Sequence, residues 1–287
     1  MIRKNEHTNN SDNAVQAMTK MLIIKHELII YLVITFLVTW IFWGISFTSN
    51  TLNGPFRIMG SFLPSIMSII FIGYANGFNG IKKLFKTLTI WKVSPFFYAF
   101  IFLYTAVSLY LPSFICSIIG LNYKIHMNNH ISSFPLTSPL TILTCFFAVM
   151  IFGGPVGEEL GWRGFVLPKL QKKFNPFISS IILGVIWAGW HIPFFYFHIS
   201  GYNVSFVSYL LETIWLTILF TWLYNNTKGS LLIIILFHSF DNFVMAICFN
   251  TFMKYFNIYS IILWIIRLII MLYIVFDMFR KPLKQLK

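Results

Sequence analysis

Charged residues are scarce in this chain of 287 amino acids, because Asp, Glu, Lys and Arg together make up only 10% of it, while 57% is hydrophobic. A water-soluble domain of this composition would have too few charges to cover its own surface. Acidic residues are the scarcest, with 8 Asp and Glu against 21 Lys and Arg. In so hydrophobic a chain we interpret the positive excess as loops that face anionic lipid, which excludes a soluble enzyme and argues against binding of nucleic acid.

Cysteine is also rare, since the chain contains only three of them. Cys116, Cys145 and Cys248 all lie in apolar stretches, too few and too scattered for a disulfide framework or a cysteine-based zinc site. We interpret them as small core residues. Aromatic residues, by contrast, make up 19% of the chain, which is typical of a lipid-facing protein with rings at the membrane interfaces.

Long apolar runs dominate the rest of the sequence, and each is long enough to cross a hydrocarbon core of about 30 Å. We predict an all-α, polytopic membrane protein with about eight transmembrane helices and an intramembrane active-site cavity. The predicted segments are 28–47, 56–75, 95–119, 137–157, 177–197, 203–224, 230–250 and 257–279. The fourth segment meets a Gly153-Gly154-Pro155 break, at which its helix either ends or continues through Glu158 and Arg163. If Glu158 is to meet histidines of later segments, the helix must extend past Pro155.

The chain is predicted to form one membrane domain over residues 21–280, between a disordered cytoplasmic tail at 1–20 and a basic cytoplasmic tail at 281–287. Eight crossings that start inside place 17 cationic residues in the cytoplasm, and only Arg57, Lys124 and Lys254 on the other side. The 17 are Arg3, Lys4, Lys20, Lys25, Lys82, Lys83, Lys86, Lys92, Arg163, Lys169, Lys172, Lys173, Lys228, Arg280, Lys281, Lys284 and Lys287. We therefore expect a multi-pass protein of the cell membrane with both termini in the cytoplasm. We also expect its cavity to open toward the cytoplasm or inner leaflet, with Lys169, Lys172 and Lys173 near the rim.

An ionisable side chain at the bilayer centre costs about 2.5 to 3.5 kcal/mol on insertion scales, so each one needs a partner or a function. Glu159 and Arg163 are spaced i and i+4, in the favourable order for an ion pair. Glu158 is rotated by about 100° from Glu159 and is left outside that pair. One carboxylate is then held by a guanidinium, while the other is available to take a proton from water. The alternative is an ordinary helix-surface pair at the membrane edge.

Two later segments supply imidazoles and an amide. His191 lies in the string WAGWHIP, and its alternative interpretation is a lone membrane histidine bonded to a neighbouring helix. His238 and Asn242 fall one helical turn apart, with Asp241 within reach of the same face. Their alternative interpretation is a polar patch that joins two helices.

Together these groups suit hydrolysis of an amide bond. Glu158 and His191 would activate water, while His238 and Asn242 would donate hydrogen bonds to the oxyanion. The same parts permit a zinc site, with His191, His238 and Glu158 as ligands and water as the fourth. The cofactor is therefore either none or zinc. Asn242 is a poor zinc ligand, which favours the metal-free mechanism.

The three motifs resemble those of the CAAX protease and bacteriocin-processing (CPBP, or Abi) family of intramembrane glutamic or metallo-endopeptidases. They are Glu158-Glu159-x-x-x-Arg163, Trp187-x-x-x-His191 and His238-x-x-x-Asn242, with the flanking strings EELGWRGFVLPKL and WAGWHIPFF, over a core of about 150–249. The resemblance implies water activation by Glu158 and His191, support from Glu159 and Arg163, and oxyanion stabilisation by His238 and Asn242. It also implies a membrane-associated substrate, either a CAAX-type protein or a secreted-peptide precursor. The motifs do not separate these substrates, and both metal-dependent and metal-free mechanisms stay open.

The main alternative is a membrane immunity protein that binds a peptide without cutting it, or a transporter, since both also use intramembrane charges. Glu212 and Arg267 fit either class, and an interhelical pair between them is the simplest interpretation. Two observations favour the protease. The carboxylates, imidazoles and amide are the side chains that a hydrolase needs, and the sequence does not show the paired inverted halves that are typical of transporters. The sequence leaves the oligomeric state and any role of Asp241 open.

Overall fold

The structure is a computed structural model that describes residues 22–49, 51–121, 125, 128, 130–131, 134–199, 204–254 and 258–280. The two predicted tails, 1–20 and 281–287, lie outside these residues. The described chain is helical apart from one two-residue ladder, so the prediction of an all-α fold is confirmed. The helices are α1 Glu27–Thr48, α2 Asn53–Lys86, α3 Pro95–Ile118, α4 Pro139–Phe152, α5 Pro155–Gly161, α6 Leu167–Gln171, α7 Pro176–Trp190, α8 Ile192–Tyr196, α9 Phe206–Asn226, α10 Leu231–Lys254 and α11 Ile258–Arg280. The ladder pairs β1 His130–Ile131 with β2 Phe134–Pro135, antiparallel.

Seven helical spans of the described chain are long and apolar enough to cross a membrane, when α4 through α6 are taken as one span. The chain is therefore a multi-pass integral membrane protein. The predicted fifth segment, 177–197, is not one long helix. Its first part is α7 with 15 residues, after which the chain leaves helical geometry at His191 and continues as the five-residue α8. Pro193 explains the interruption, because it has no amide hydrogen and its ring excludes the carbonyl four residues earlier.

Helix α1 shows how the bundle divides lipid from protein. Its buried face is partly polar and includes Tyr31, Thr35, Thr39, Trp43 and Ser46. Its exposed face carries Ile29, Val33, Leu37 and Ile41 at a spacing of four residues. Because lipid tails solvate aliphatic side chains as well as a core does, small and hydroxyl-bearing residues rather than aliphatic ones mark the side that packs on other helices.

The two ends of the bundle differ in charge. One end, here called the cationic end, gathers the start of α1, the end of α2, the end of α6 and the α9–α10 turn. Lys169 near the end of α6 pairs with Glu27 at the start of α1, and the Ser230 hydroxyl donates to the Ile90 carbonyl at 2.7 Å. The described cations at this end are Lys25, Lys82, Lys83, Lys86, Lys92, Lys169, Lys172, Lys173, Lys228 and Arg280. The opposite end holds the end of α1 and the starts of α2, α9 and α11.

The Gly153-Gly154 break is a corner between two helices. Gly154 has a φ of 112°, a conformation that residues with a Cβ rarely adopt, and Pro155 then starts α5 at a position where its missing amide hydrogen costs nothing. From there the chain stays helical through a π-helical turn at Trp162–Val166 into α6. Both alternatives for the fourth segment are thus partly right, since one helix ends at the corner and another carries Glu158 onward.

Close contact between α5 and α2 depends on glycine. A Cβ on Gly157 would lie 2.5 Å from the Ser61 carbonyl oxygen and 3.0 Å from the Phe62 Cα, both of which are backbone atoms. Neighbouring support comes from Tyr31, whose hydroxyl donates to the Pro64 carbonyl at 2.9 Å. The helix that carries Glu158 is therefore held directly against the backbone of α2.

We predict that Gly157→Ala destabilises the protein in detergent, because backbone has to shift to admit the methyl group. Overpacking of this kind typically costs about 1 to 3 kcal/mol, which thermal unfolding followed by intrinsic fluorescence can measure. Gly44→Ala is the matched control, since a Cβ there meets nothing within 4 Å. Equal melting temperatures for the two variants would contradict the proposed α2–α5 contact.

Candidate active site

The four residues predicted to carry catalysis line one cavity of about 690 Å³. Glu158 comes from α5, His191 from the interruption between α7 and α8, and His238 and Asn242 from α10. Glu158, His191 and His238 are only 4 to 6% exposed. Three separate stretches of chain thus bring one carboxylate, two imidazoles and one amide to a common space inside the bundle.

Glu158 is fixed from two directions. Its Oε2 accepts a hydrogen bond from the indole N–H of Trp187 at 2.6 Å. Its Oε1 lies against the Cα of Gly154, where an added Cβ would collide with it. The glycine corner therefore provides the space that the carboxylate occupies, while the indole sets its direction.

Glu159 points away from the cavity into a fully buried network. Its Oε1 accepts from Arg163 Nη1 at 3.0 Å and from His238 Nδ1 at 2.7 Å. Arg163 also donates to the Thr217 hydroxyl at 3.3 Å, and its guanidinium lies 4.3 Å from the Trp187 ring centre. Both partners of the Glu159–Arg163 pair are 0% exposed, so the alternative of a surface pair at the membrane edge is wrong.

His191 has a defined tautomer in its neutral form. Its Nδ1 lies 2.9 Å from the Trp187 carbonyl oxygen, which can only accept, so Nδ1 carries the hydrogen. The lone pair of the neutral ring is then on Nε2. The ring packs among aromatic side chains, with Trp190 at 4.8 Å and Tyr209 at 5.4 Å between ring centres.

Asn242 is held at the glycine corner. Its side-chain amide donates to the Gly153 carbonyl at 3.3 Å, which leaves its second N–H hydrogen for another acceptor. Gly153 and Gly154 thus contact Asn242 on one side and Glu158 on the other. The corner sets the spacing between these two side chains.

Trp187 is the residue that the sequence did not single out by role. Besides bonding Glu158, its ring packs on His191 at 6.0 Å and on His238 at 5.3 Å between ring centres. The sequence did place Trp187 one helical turn before His191, within the motif Trp187-x-x-x-His191, and this position was the signal for a role in the site. Sequence alone did not show that one indole contacts Glu158 and both imidazoles.

Two comparisons bear on this arrangement. A family model described as "Type II CAAX prenyl endopeptidase Rce1-like" matches residues 139–244, the stretch that supplies all four lining residues. The protein "CAAX prenyl protease 2" of Methanococcus maripaludis is 28% identical over 241 residues, which cover 76% of this chain and 83% of that protein. The chain is thus similar to CAAX prenyl proteases over the stretch that carries the candidate site. Both similarities support a protease rather than a non-catalytic immunity protein or a transporter.

The zinc alternative gains no support from the grouping of side chains in this cavity. Within the described part of the chain, no three His, Cys, Asp or Glu side chains are grouped so that they could hold a metal ion. Glu158 is bonded to the Trp187 indole through Oε2, while His191 and His238 use Nδ1 for a carbonyl and for Glu159, an arrangement that metal-bound histidines also show.

A second charged group lines the protease cavity. Arg267 of α11 pairs with Glu212 of α9, as the sequence analysis expected, and Asp241 of α10 lies on the same wall. This pair joins two helices across the cavity.

The prediction that three lysines lie near the rim of the cavity is wrong. Lys169, Lys172 and Lys173 are absent from its lining, which is drawn instead from the opposite end of the bundle. Asn53 and Gly54 at the start of α2 line it, as do Ser208 near the start of α9 and Ser260 near the start of α11. The sequence-based estimate failed because it judged depth from segment limits alone, whereas the glycine corner and the interruption at His191 decide which way the site opens.

We predict that Glu159→Gln destabilises the protease, because it leaves Arg163 without a counter-charge and His238 without its acceptor carboxylate. Removing one partner of a buried ion pair typically costs about 3 to 5 kcal/mol. Thr217→Val is the matched control, since it removes the weaker 3.3 Å contact of the same guanidinium and a local hydroxyl bond to the Thr213 carbonyl, but no charge. A melting temperature that falls no further for Glu159→Gln than for Thr217→Val would contradict this network.

Proposed function

We propose that this protease hydrolyses a peptide bond of a membrane-associated peptide by means of a water molecule held between Glu158 and His191. The observation that supports this most directly is the shared cavity, in which a carboxylate and an imidazole with its lone pair on Nε2 face the same space. Both are the residue types that take a proton from water at ordinary pH. The substrate class left open by the sequence is a CAAX-type protein or a secreted-peptide precursor, and the names of the related proteins refer to prenyl proteases.

In the proposed reaction, the water oxygen attacks the carbonyl carbon of the scissile bond and its proton passes to Glu158. The same proton then moves to the nitrogen of the departing amine as the C–N bond breaks. His191 accepts a hydrogen bond from the water and orients it. No serine or cysteine nucleophile is needed, and no covalent intermediate forms with the protein.

His238 and Asn242 are proposed to stabilise the oxyanion. His238 gives its Nδ1 hydrogen to Glu159, so in the imidazolium form it donates to the oxyanion through Nε2. At that stage Glu158 holds the proton from water, so the oxyanion and Glu159 are the negative groups that face Arg163 and the imidazolium. Asn242 adds the second N–H hydrogen that the Gly153 carbonyl does not use.

We predict that Glu158→Gln lowers the cleavage rate by about 10²-fold to 10⁴-fold, the usual contribution of a general base, while the protein remains folded. Peptides from membranes that contain the wild type or this variant should be compared by mass spectrometry, so that an accumulating precursor identifies the substrate. Glu27→Gln at the cationic end is the control carboxylate and should leave the peptides unchanged. Unaltered cleavage by a folded Glu158→Gln protein would remove Glu158 as the base.

We predict that Trp187→Phe slows cleavage about tenfold without a comparable loss of stability, because it removes the indole N–H to Glu158 and keeps a ring beside both histidines. A hydrogen bond to a charged group is worth about 1.5 to 3 kcal/mol, so a misdirected carboxylate accounts for a change of this size. The readout is kcat on the precursor identified above, measured beside the melting temperature. If Trp187→Phe lowers only the melting temperature, the indole serves packing alone.

A further inference from the structure

The cavity mouth lies at one particular end of the bundle. Its outermost lining residues, Asn53, Gly54, Val204, Ser208 and Ser260, each fall within three residues of a helix start at the end opposite the cationic end. Asn53 and Gly54 are exposed. The space above Glu158 and His191 therefore leads away from the lysine-rich loops.

The route from the site to the cationic end is filled with packed side chains. Arg163, Val166 and Leu167 follow Glu158 along the chain, and all three are 0% exposed. Phe220 and Leu223 of α9 are equally buried beside them. Since protein interiors pack as densely as organic crystals, a layer of this kind admits neither a peptide nor a file of water.

The difference in charge between the two ends indicates which end faces the cytoplasm. In membrane proteins Lys and Arg concentrate in cytoplasmic loops. Most described cations of this chain lie at the cationic end, in particular at the end of α2, after α6 and at the α9–α10 turn. At the mouth end the described cations are Arg57, which lines the cavity and lies 5.4 Å from the Phe194 ring centre, and Lys254, the last residue of α10. By the positive-inside rule, the mouth is on the non-cytoplasmic side.

We propose that the catalytic cavity opens to the outside of the membrane and takes the outward-facing segment of an exported, membrane-held peptide. This rests on the proposed function and selects the secreted-peptide alternative over a cytoplasmic, lipid-modified C terminus. A peptide of that class needs an apolar wall, which Trp43, Phe194, Tyr209 and Trp264 supply around the mouth and the site. The inference reverses the cytoplasmic opening expected from sequence while it keeps the predicted orientation of the helices.

The first experiment measures sidedness without any reference to activity. In a variant whose three buried cysteines are replaced by alanine, Gly54→Cys places a thiol at the mouth, where an added Cβ meets nothing within 4 Å. Lys172→Cys places a matched exposed thiol at the cationic end. A charged, membrane-impermeant maleimide is applied to intact cells and to inside-out vesicles, and labelling of the denatured proteins gives the total thiol content.

We expect Gly54→Cys to react in intact cells at least tenfold faster than in inside-out vesicles, and Lys172→Cys to show the reverse. Reaction of Gly54→Cys from the vesicle side, or equal reaction from both sides, overturns the proposal. So does reaction of both thiols from one side, because the mouth and the lysines would then share a face.

The second experiment separates the substrate class from the sidedness of the enzyme. Intact cells that carry Glu158→Gln are treated with an external protease, and the accumulated precursor is followed by mass spectrometry. Loss of the precursor supports an exported substrate, whereas survival in cells with digestion in inside-out vesicles overturns that part. If no precursor accumulates although the thiols report an outward mouth, the proposed function fails and the proposed opening stands.

Discussion

The buried carboxylate of Glu159 is the constraint on which the site depends. In a bundle surrounded by lipid, water cannot solvate such a charge, so protein groups have to compensate it. Arg163 does so from one turn further along the same stretch, and His238 does so from α10. This one carboxylate therefore fixes the position of α10 relative to the stretch that carries Glu158, and it sets which nitrogen of His238 faces the cavity.

Adjacent glutamates take different tasks because a helix turns by about 100° per residue. Glu159 faces the packed interior, where its partners are the Arg163 guanidinium and the His238 imidazole. Glu158 faces the cavity and receives one neutral hydrogen bond, from the Trp187 indole. Glu158 can accept a hydrogen bond from water in the cavity, whereas Glu159 is fully buried away from the cavity and water cannot reach it. The proposed division into base and support follows from these neighbours.

Short-range geometry made several features predictable. The Glu159–Arg163 pair and the His238–Asn242 pair follow from i to i+4 spacing on any helix, and both sets lie as expected. The Arg267–Glu212 pair was predictable for another reason, since few other charges of α9 and α11 were available to compensate each other within lipid. Membrane helices themselves were predictable because only they satisfy the backbone in hydrocarbon.

The sequence by itself determined the fold class, most of the apolar segments and the candidate residues of the site, because these depend on hydrophobicity and on spacing within one helix. Tertiary structure decided the interruption at His191, the contacts of Trp187 with three other site residues, and the end at which the cavity opens. Each of these depends on where separate helices meet. A glycine at φ 112° and a proline ring interrupt the helices beside the site, and the packing of separate helices around it leaves the mouth of the cavity away from the lysines.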